Sequence, residues 1–325
     1  MRSRIGLFVL LAATCALVAA AAVVSAVVAQ GNRAAEPVRS TALTRPYVVY
    51  RSLDDKLGRA HVGELASASA AKPGGPRRLT GRVCERIHAG AAGALCVARG
   101  GSLLGAYEAL LLAPDGHVRH KVALSGVPSR ARVSPDGRYG ATTMFVTGHS
   151  YAAPGQFSTQ TTLIDMTTGK AIADLETFTV SRAGRVVDAA DVQFWGVTFA
   201  RDSDHFYATL ATGGRTYLID GHVSTRTAKA IRSNVECPSL SPDGKRIGYK
   251  KLVGSDPAWR FHVLDLATGR ETPLAEKRPI DDQLEWLDDG RVLYGSGREI
   301  WTVPADGTGT PRRFLTHGDS PAVVR

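Results

Sequence analysis

The stretch LSPDGKRIGYK, from Leu240 to Lys250, decides the fold because close copies of it return along the chain. The copies are VSPDGRYGATTM from Val133, FARDSDHFYATL from Phe199 and WLDDGRVLYGSG from Trp286. Proline sets the backbone angle at the second position of a type I turn, aspartate bonds back to the main chain, and glycine adopts positive φ at little cost. Apolar residues alternate on both sides of each turn, so each copy predicts a β-hairpin.

A second turn motif follows these copies. It reads TTLIDMTTGKAIADL from Thr161 and FHVLDLATGRETPLA from Phe261, and looser versions follow the other copies. Each version is an alternating strand, an Asp-containing turn with glycine, and a closing strand. Two hairpins give four strands per repeat, and most repeats are about 40–46 residues long, a period that is typical of β-propeller blades.

The repeats predict six blades and a closed ring. Three strands of a first blade lie between Tyr47 and Thr80, a second blade runs from Arg82 to Leu124, and further blades start near Arg132, Thr198, Glu236 and Gln283. The first blade lacks its innermost strand, and Asp319 to Val324 resembles the strand ECPSL that precedes Ser241. We therefore expect the carboxy-terminal segment to complete the first blade, which removes an open sheet edge. The predicted fold is all-β: a six-bladed β-propeller of four-stranded blades over residues 46–325, preceded by one hydrophobic amino-terminal helix.

The first thirty residues predict export. Arg2 and Arg4 precede a segment without charge from Ile5 to Ala29, which as a helix could span a hydrocarbon core of about 30 Å. Residues 1–30 are interpreted either as an uncleaved signal-anchor or as a long cleavable signal peptide, with residues 31–45 as a linker. In both cases the positive-inside rule places the propeller outside the cytoplasm, anchored to the plasma membrane or secreted. The formal charge of +10 favours anionic partners. Nucleic acid is not an expected partner, because the chain is predicted to be exported.

Three cysteines follow the amino-terminal segment, and an oxidising compartment favours pairing of two of them. Cys84 and Cys96 lie on either side of the turn HAGAAG, in neighbouring strands of one predicted blade. Cross-strand neighbours come within disulfide distance, so a Cys84–Cys96 bridge is predicted. Cys237 occupies the position equivalent to Cys84 in another blade, and it is interpreted as a buried free thiol.

With the SPDG and DLATG turns placed, the chain resembles the propeller domain of TolB-like translocation proteins, within the broader class of exported WD-like propellers. The resemblance covers roughly residues 46–325 and implies an exported six-bladed propeller that binds a macromolecule. TolB also has a separate amino-terminal α/β domain, for which Gly31 to Arg45 is too short. The resemblance therefore implies the propeller without the Tol-complex role, and it assigns no binding residue.

No motif predicts a catalytic, cofactor or metal site. The segment GHSYA around Ser150 loosely resembles a nucleophile elbow, but such a serine needs a strand–turn–helix context that a chain of blades lacks. The histidines are spread along the chain, and the aspartates of the turns lie in different blades. Glu85, Arg132 and Glu285 lie near the inner strands and are the candidates for an axial active site. A deep polar channel would favour an enzyme, whereas a plugged channel would favour a scaffold.

Two insertions in the third blade are the best functional clue in the sequence. They are FVTGHSYAAPGQFSTQ from Phe145 and FTVSRAGRVVDAADVQFWG from Phe178, and in a propeller both connection types open on the same face. Inserted loops on repeat scaffolds often bind partners. The predicted partner contacts are Tyr151, Phe157, Arg182 and Arg185, together with Trp259 in GSDPAWRF.

The sequence thus predicts a protein-interaction module at the bacterial cell envelope, not an enzyme. The expected partners are envelope proteins, with the membrane contacted through the amino-terminal segment, and we expect the propeller to be monomeric. A sensor propeller that binds small molecules or glycans is the alternative, and a lyase or hydrolase with an axial active site is a third.

Overall fold

The computed structural model describes residues 43–57, 62–101, 106–146, 158–254 and 258–325, which belong to one compact unit. These ranges fold almost entirely as β-strands, and within them the helical elements are two short 3-10 turns, Asp55–Leu57 and Leu175–Thr177. No helix of the described ranges is both long and apolar enough to cross a bilayer. The hydrophobic helix predicted in residues 1–30 lies outside the described residues.

The described strands form six sheets, and each sheet is one blade. The strands up to the end of blade 3 are β1 (Tyr47–Ser52), β2 (Glu64–Ser69), β3 (Arg78–Val83), β4 (Arg86–Gly90), β5 (Gly93–Arg99), β6 (Tyr107–Leu112), β7 (Val118–Leu124), β8 (Val127–Val133), β9 (Tyr139–Val146), β10 (Ser158–Asp165) and β11 (Ala171–Asp174). The remaining strands are β12 (Thr179–Arg182), β13 (Arg185–Val186), β14 (Gln193–Phe199), β15 (His205–Thr212), β16 (Arg215–His222), β17 (Thr227–Ser233), β18 (Glu236–Leu240), β19 (Arg246–Val253), β20 (Ala258–Asp265), β21 (Glu271–Pro273), β22 (Glu285–Asp288), β23 (Arg291–Ser296), β24 (Glu299–Pro304), β25 (Arg312–Thr316) and β26 (Gly318–Val324).

The blades follow the predicted order from the inner to the outer strand. Blade 1 is β26-β1-β2-β3, blades 2 and 3 are β4 to β7 and β8 to β11, and blades 5 and 6 are β18 to β21 and β22 to β25. Blade 4 contains β14 to β17 and is extended at its outer edge by β12 and β13. The all-β, six-bladed propeller predicted from the repeats is therefore confirmed.

The ring closes where the carboxy-terminal strand meets the first strand of the propeller. β26 pairs antiparallel with β1, with Tyr47 opposite Val324 and Val49 opposite Ala322. Val323 and Val324 are buried, at 3% and 1% exposure. The tail therefore supplies the inner strand that blade 1 lacks, as the sequence predicted.

The Ser-Pro-Asp-Gly turns are held together by their own side chains. In the turn of blade 5, Ser241 Oγ accepts the Arg246 N–H at 3.0 Å, and Asp243 Oδ1 accepts the Lys245 N–H at 3.0 Å. Gly244 takes a φ of +75° there, a conformation that favours glycine. The turn of blade 3 repeats this arrangement, which explains why the same residue types recur at blade-sized intervals.

The apolar core lies between neighbouring blades. Between blades 5 and 6, Phe261 packs on Tyr294 with ring centroids 5.0 Å apart, and both belong to one buried cluster with Trp286. Trp286 is 1% exposed, and its indole N–H donates to the carbonyl of Ser239 in blade 5 at 2.8 Å. Trp286 is therefore core between blades, and each sheet depends on its neighbours for burial.

Strand direction defines two faces of the ring. The contact face carries the connections between blades and those between second and third strands, including the turn Gly213–Gly214. The segment that links blades 3 and 4 approaches this face along the outer edge of blade 4, because Thr179 lies opposite Thr227 at the start of β17. The closing face carries the turns that follow each inner strand, such as Pro242–Gly244. Because β26 ends and β1 begins at the closing face, Pro46 and Arg325 both lie there, beside one shallow pocket.

The predicted disulfide is present. Cys84 and Cys96 are bonded, with their Cα atoms 5.6 Å apart. Cys84 lies just before β4, and its neighbour Glu85 donates its N–H to the carbonyl of Val97 at 2.7 Å. Cys237 is a buried free thiol, as expected.

Candidate functional site

The axis of the ring is crossed by a buried ion pair between blades 3 and 6. Arg132 Nη1 donates to Glu285 Oε2 at 2.6 Å, and the two residues are 7% and 6% exposed. Arg132 also donates to Ser239 Oγ of blade 5 and to the carbonyl of Val197 of blade 4, each at 3.2 Å. The second oxygen of Glu285 accepts the N–H of Val323 in blade 1 at 3.3 Å. Five of the six inner strands therefore meet through two side chains.

His88 brings blade 2 into the same network. Its Nδ1 lies 3.1 Å from the N–H of Val133, which can only donate, so Nδ1 is the acceptor. Burial, followed by the charge of Arg132, lowers the pKa of His88 below its usual value. The ring is therefore neutral near pH 7, with its proton on Nε2, which points toward Glu285 Oε2 at 3.7 Å. Because Nε2 carries the proton, it cannot accept a hydrogen bond from Arg132 Nη1, which lies 2.8 Å away.

The charges in this axial network balance. Glu285 is desolvated, which raises its pKa, but hydrogen bonding and the charge of Arg132 outweigh burial and lower the pKa to about 2. Arg325 adds a more distant contact, with Nη1 3.9 Å from Glu285 Oε1. A buried ion pair of this kind gives little net stability, yet removing one partner leaves a buried charge and costs about 3–5 kcal/mol.

The axial network divides the channel into two pockets. A pocket of about 220 Å³ opens on the contact face and one of about 320 Å³ on the closing face, and His88, Arg132 and Glu285 line both. These side chains therefore lie between the pockets and plug the channel. Two of the three axial candidates from the sequence, Arg132 and Glu285, meet here. Glu85 does not join them, because its carboxylate pairs with Arg99 at 3.0 Å, away from the axis.

The channel mouth on the contact face is lined by charges of both signs. Arg86 Nε donates to the carbonyl of Ser129 at 2.6 Å, and Asp282 Oδ2 accepts the N–H of Gly295 at 2.7 Å. Asp319 lies 3.4 Å from Arg51 Nε, and burial raises its pKa despite the nearby arginines. Arg86 and Asp282 are thus bonded to main-chain groups, whereas Asp319 Oδ1 and Arg51 Nε are buried without a hydrogen bond within the described ranges and interact only as an ion pair.

Trp259 lies on the contact face at the start of β20 and covers a buried lysine. Lys250 Nζ sits 4.6 Å from the centre of the indole ring, pairs with Asp281, and lies 3.9 Å from Glu236. Burial raises the pKa of Glu236 to about 7, against the opposing charge of Lys250. Trp259 is half-buried, so this predicted contact residue also packs over the ion pairs beneath it.

The second insertion differs from the predicted loop, because much of it is sheet. β12 runs parallel to β17, with Val180 opposite Ala228, and turns back as β13. Apolar residues explain the attachment: Val180 is 3% exposed, and Phe178 packs edge-on against Phe206 at 5.9 Å. The insertion therefore forms a hairpin on the outer rim of blade 4, which presents Arg182 and Arg185 beside the contact face.

The hairpin and the β15–β16 turn enclose a groove of about 790 Å³. One wall is the β15–β16 turn, which is held by Asp191. The Asp191 carboxylate accepts from Thr212 Oγ1 at 2.6 Å and from the N–H of Gly213 at 2.7 Å. Arg182 fixes another wall, stacking 5.0 Å from the Tyr217 ring and donating to its hydroxyl at 2.6 Å. We call this feature, lined by residues 182–189 and 212–217, the rim groove.

The predicted contact residues are thus only partly brought together. Arg182 and Arg185 share the rim groove, Trp259 lies on the same face in blade 5, and Tyr151 and Phe157 lie outside the described residues, as does Ser150. Sequence reasoning missed Arg215 and Tyr217, which belong to an ordinary-looking repeat. In the sequence they could have been found only from their position, because both follow the β15–β16 turn, a connection of the type that opens on the same face as the insertion. Within the described ranges, no group of three or more histidine, cysteine or acidic side chains is placed to hold a metal ion.

Comparison with known proteins places the fold. No protein-family model matches the sequence, and no curated protein matches it either. The structure is similar to TolB from Acinetobacter baumannii, with a TM-score of 0.60 and 16% identity, over 86% of this chain and 67% of that one. A chain of a nidogen/laminin complex is similar with a TM-score of 0.56 and 9% identity, over 86% of this chain and 98% of that one. The fold is therefore that of a TolB-type six-bladed propeller, as the resemblance in the sequence implied.

Proposed function

We propose that this protein is an exported interaction module that binds a partner protein through its contact face. The observation that carries the proposal is the rim groove, because the insertion from Phe178 builds it on a surface that the ring itself does not need. Repeat scaffolds commonly bind through such added segments. The similarity to TolB supports a propeller scaffold, and a role at the cell envelope is part of the proposal.

The Cys84–Cys96 disulfide supports an extracytoplasmic location, since structural disulfides form and persist in oxidising compartments. The uncharged segment from Ile5 to Ala29 supports export and a membrane tether.

The channel gives less support to the other two functions. Arg132 and Glu285, the strongest catalytic candidates, bind each other and plug the axis. The two channel pockets, of about 220 and 320 Å³, lie below or at the lower limit of the roughly 300–1,000 Å³ of typical small-molecule sites. A non-enzymatic protein-binding role is therefore the function that the geometry supports best.

Site-specific photo-cross-linking in intact cells tests this proposal. A photoreactive amino acid is placed at Ala189, exposed in the rim groove, or at Lys245, exposed in a turn of the closing face. We expect a discrete protein adduct from position 189 and none from position 245, with unchanged amounts of protein in both strains. Equal adducts at both positions, or none at either, would count against a contact face.

A further inference from the structure

The hairpin formed by β12 and β13 places β13 at the outer edge of the blade 4 sheet. Ala183 and Gly184 have φ values of +50° and +78°, which is the type I′ turn preferred in two-residue hairpins. Arg182 and Arg185 close that turn, and the N–H of Val187 donates to the carbonyl of Val180 at 2.8 Å. Bonded pairs alternate with unbonded pairs in an antiparallel ladder. Val186 lies between two bonded pairs, so its N–H and C=O point away from β12, toward solvent.

The rim groove carries more positive than negative charge. Its lining includes Arg182, Arg185 and Arg215 against Asp188, and the Asp191 carboxylate at its wall is bonded to Thr212 and Gly213. Some exposed arginines elsewhere are paired with carboxylates, as Arg99, Arg291 and Arg313 are. Within the described part of the chain, none of the three groove arginines is so paired. The groove therefore offers fixed positive charge to a ligand.

An apolar side chain adjoins these charges. Val186 is 65% exposed, the largest exposure among the large hydrophobic residues of the described ranges. A phosphate-rich polymer would use the arginines and the outward N–H, but it has no donor for the free C=O and gains nothing from an exposed valine. An extended peptide would use all three, because its main chain can pair with a free edge while its side chains meet the arginines and the valine.

Resting on the proposed function, we infer that the rim groove binds an extended, acidic segment of the partner protein. The segment pairs its main chain with Val186 and directs carboxylates to Arg185 and Arg215. Arg182 is already held by Tyr217, so it supplies charge from a fixed position. Contacts are few because β13 is short, and several weak contacts of this kind suit a reversible complex.

Fluorescence anisotropy with the full-length protein in detergent tests the inference. The probe is a fluorescein-labelled seven-residue peptide of alternating glutamate and valine, and its matched control replaces every glutamate by lysine. We expect the acidic probe to bind and the basic probe not to bind. The double variant Arg185→Glu/Arg215→Glu should weaken binding about 10-fold or more, which corresponds to about 1.4 kcal/mol.

A second double variant controls for overall charge. Arg119→Glu/Arg312→Glu changes the same number of charges at exposed arginines that lie on outer strands of other blades. We expect its affinity for the acidic probe to stay within about 2-fold of the parent. Equal weakening by both double variants would mean that only net charge attracts the probe, and the inference would be overturned.

The backbone contribution is tested with Val186→Pro, which removes the outward N–H at an edge position where proline is tolerated. We expect weaker binding of the acidic peptide and unchanged binding of polyphosphate, with thermal melting used to verify folding. Polyphosphate that binds more tightly than the peptide, with no effect of Val186→Pro, would assign the groove to an anionic polymer. If position 189 yields adducts in cells but the acidic probe does not bind, the contact face stands and the acidic-segment inference fails.

Discussion

At the residue scale, the centre of the ring depends on one arginine that joins three other blades. Arg132 belongs to blade 3 and donates to Glu285 of blade 6, Ser239 of blade 5 and Val197 of blade 4. These bonds satisfy a guanidinium that is almost fully buried, so the cost of its desolvation is offset within the fold. Loss of one of these acceptors would leave part of the buried guanidinium without a hydrogen bond.

Replacement of Glu285 by glutamine should destabilise the propeller by about 3–5 kcal/mol near pH 7, because it leaves the charge of Arg132 buried without a counter-charge. The lowered pKa of Glu285, about 2, means that its contribution is present above its unfolded pKa of about 4.3. That contribution is lost as pH falls toward 2. Urea unfolding between pH 7 and pH 3 should therefore show a difference between parent and variant that shrinks with acid.

Glu299→Gln is the control for this prediction. Glu299 pairs with the exposed Arg313 at 3.1 Å, and exposed pairs contribute about 0–1 kcal/mol. A Glu285→Gln variant as stable as Glu299→Gln would show that the axial pair does not hold the blades together.

At the scale of elements, the turn Leu175–Thr177 attaches the inserted hairpin to blade 3. Leu175 is fully buried, and both oxygens of Glu176 lie 3.1 Å from the N–H of Thr161, which donates to them. Burial raises the pKa of Glu176 to about 8, although the hydrogen bond to Thr161 opposes this. This carboxyl group therefore responds to pH in the opposite direction to Glu285.

Glu176→Gln should raise the melting temperature at pH 8 and leave it nearly unchanged at pH 4. A raised pKa gives stability that is present below the unfolded value of about 4.3 and is lost as pH rises through about 8. Glutamine resembles the protonated acid at every pH, so the substitution removes this loss. Thermal melts at both pH values measure it, with Glu108→Gln, at a carboxylate paired with Lys121, as the control. A shift of equal size at both pH values would contradict the raised pKa.

At the scale of the whole molecule, the ring is held shut by its last strand. β26 pairs with β1 and also contacts blade 6, where the N–H of Val323 donates to Glu285. Its loss would expose the edge of β1 and uncover a buried cluster that includes Tyr50 and Leu293. Because each blade is buried against its neighbours, an opening at one joint affects the whole ring.

Deletion of residues 318–325 should lower the melting temperature of the entire propeller by more than about 10 °C or prevent folding. A milder variant, Val323→Asp, keeps the strand but buries a charge, and should cost several kcal/mol. Val127→Asp is its control, at a valine that is 53% exposed. Circular dichroism melts give the result, and an unchanged midpoint for both the deletion and Val323→Asp would refute closure by the tail.

Much of this architecture is readable in the sequence because its signals are local. The Ser241 and Asp243 side chains bond to main-chain groups within five residues of themselves, so the same letters always indicate the same hairpin. The Cys84–Cys96 bridge spans only twelve residues and one turn. The interpretation of the second insertion as a loop was incomplete, because β12 pairs with β17 in parallel, and a parallel partner leaves no local pattern.

The sequence by itself determined the blades, their number, the closure by the tail and the disulfide, since each depends on turn chemistry and alternation over short stretches. Only the tertiary structure decided that Arg132 and Glu285, 153 residues apart, plug the axis. It alone brought Arg215 and Tyr217 to Arg182 and Arg185 to form the rim groove. The physical reason is that hydrogen bonds within a hairpin follow from neighbouring residues, whereas contacts across a ring exist only after six sheets have packed together.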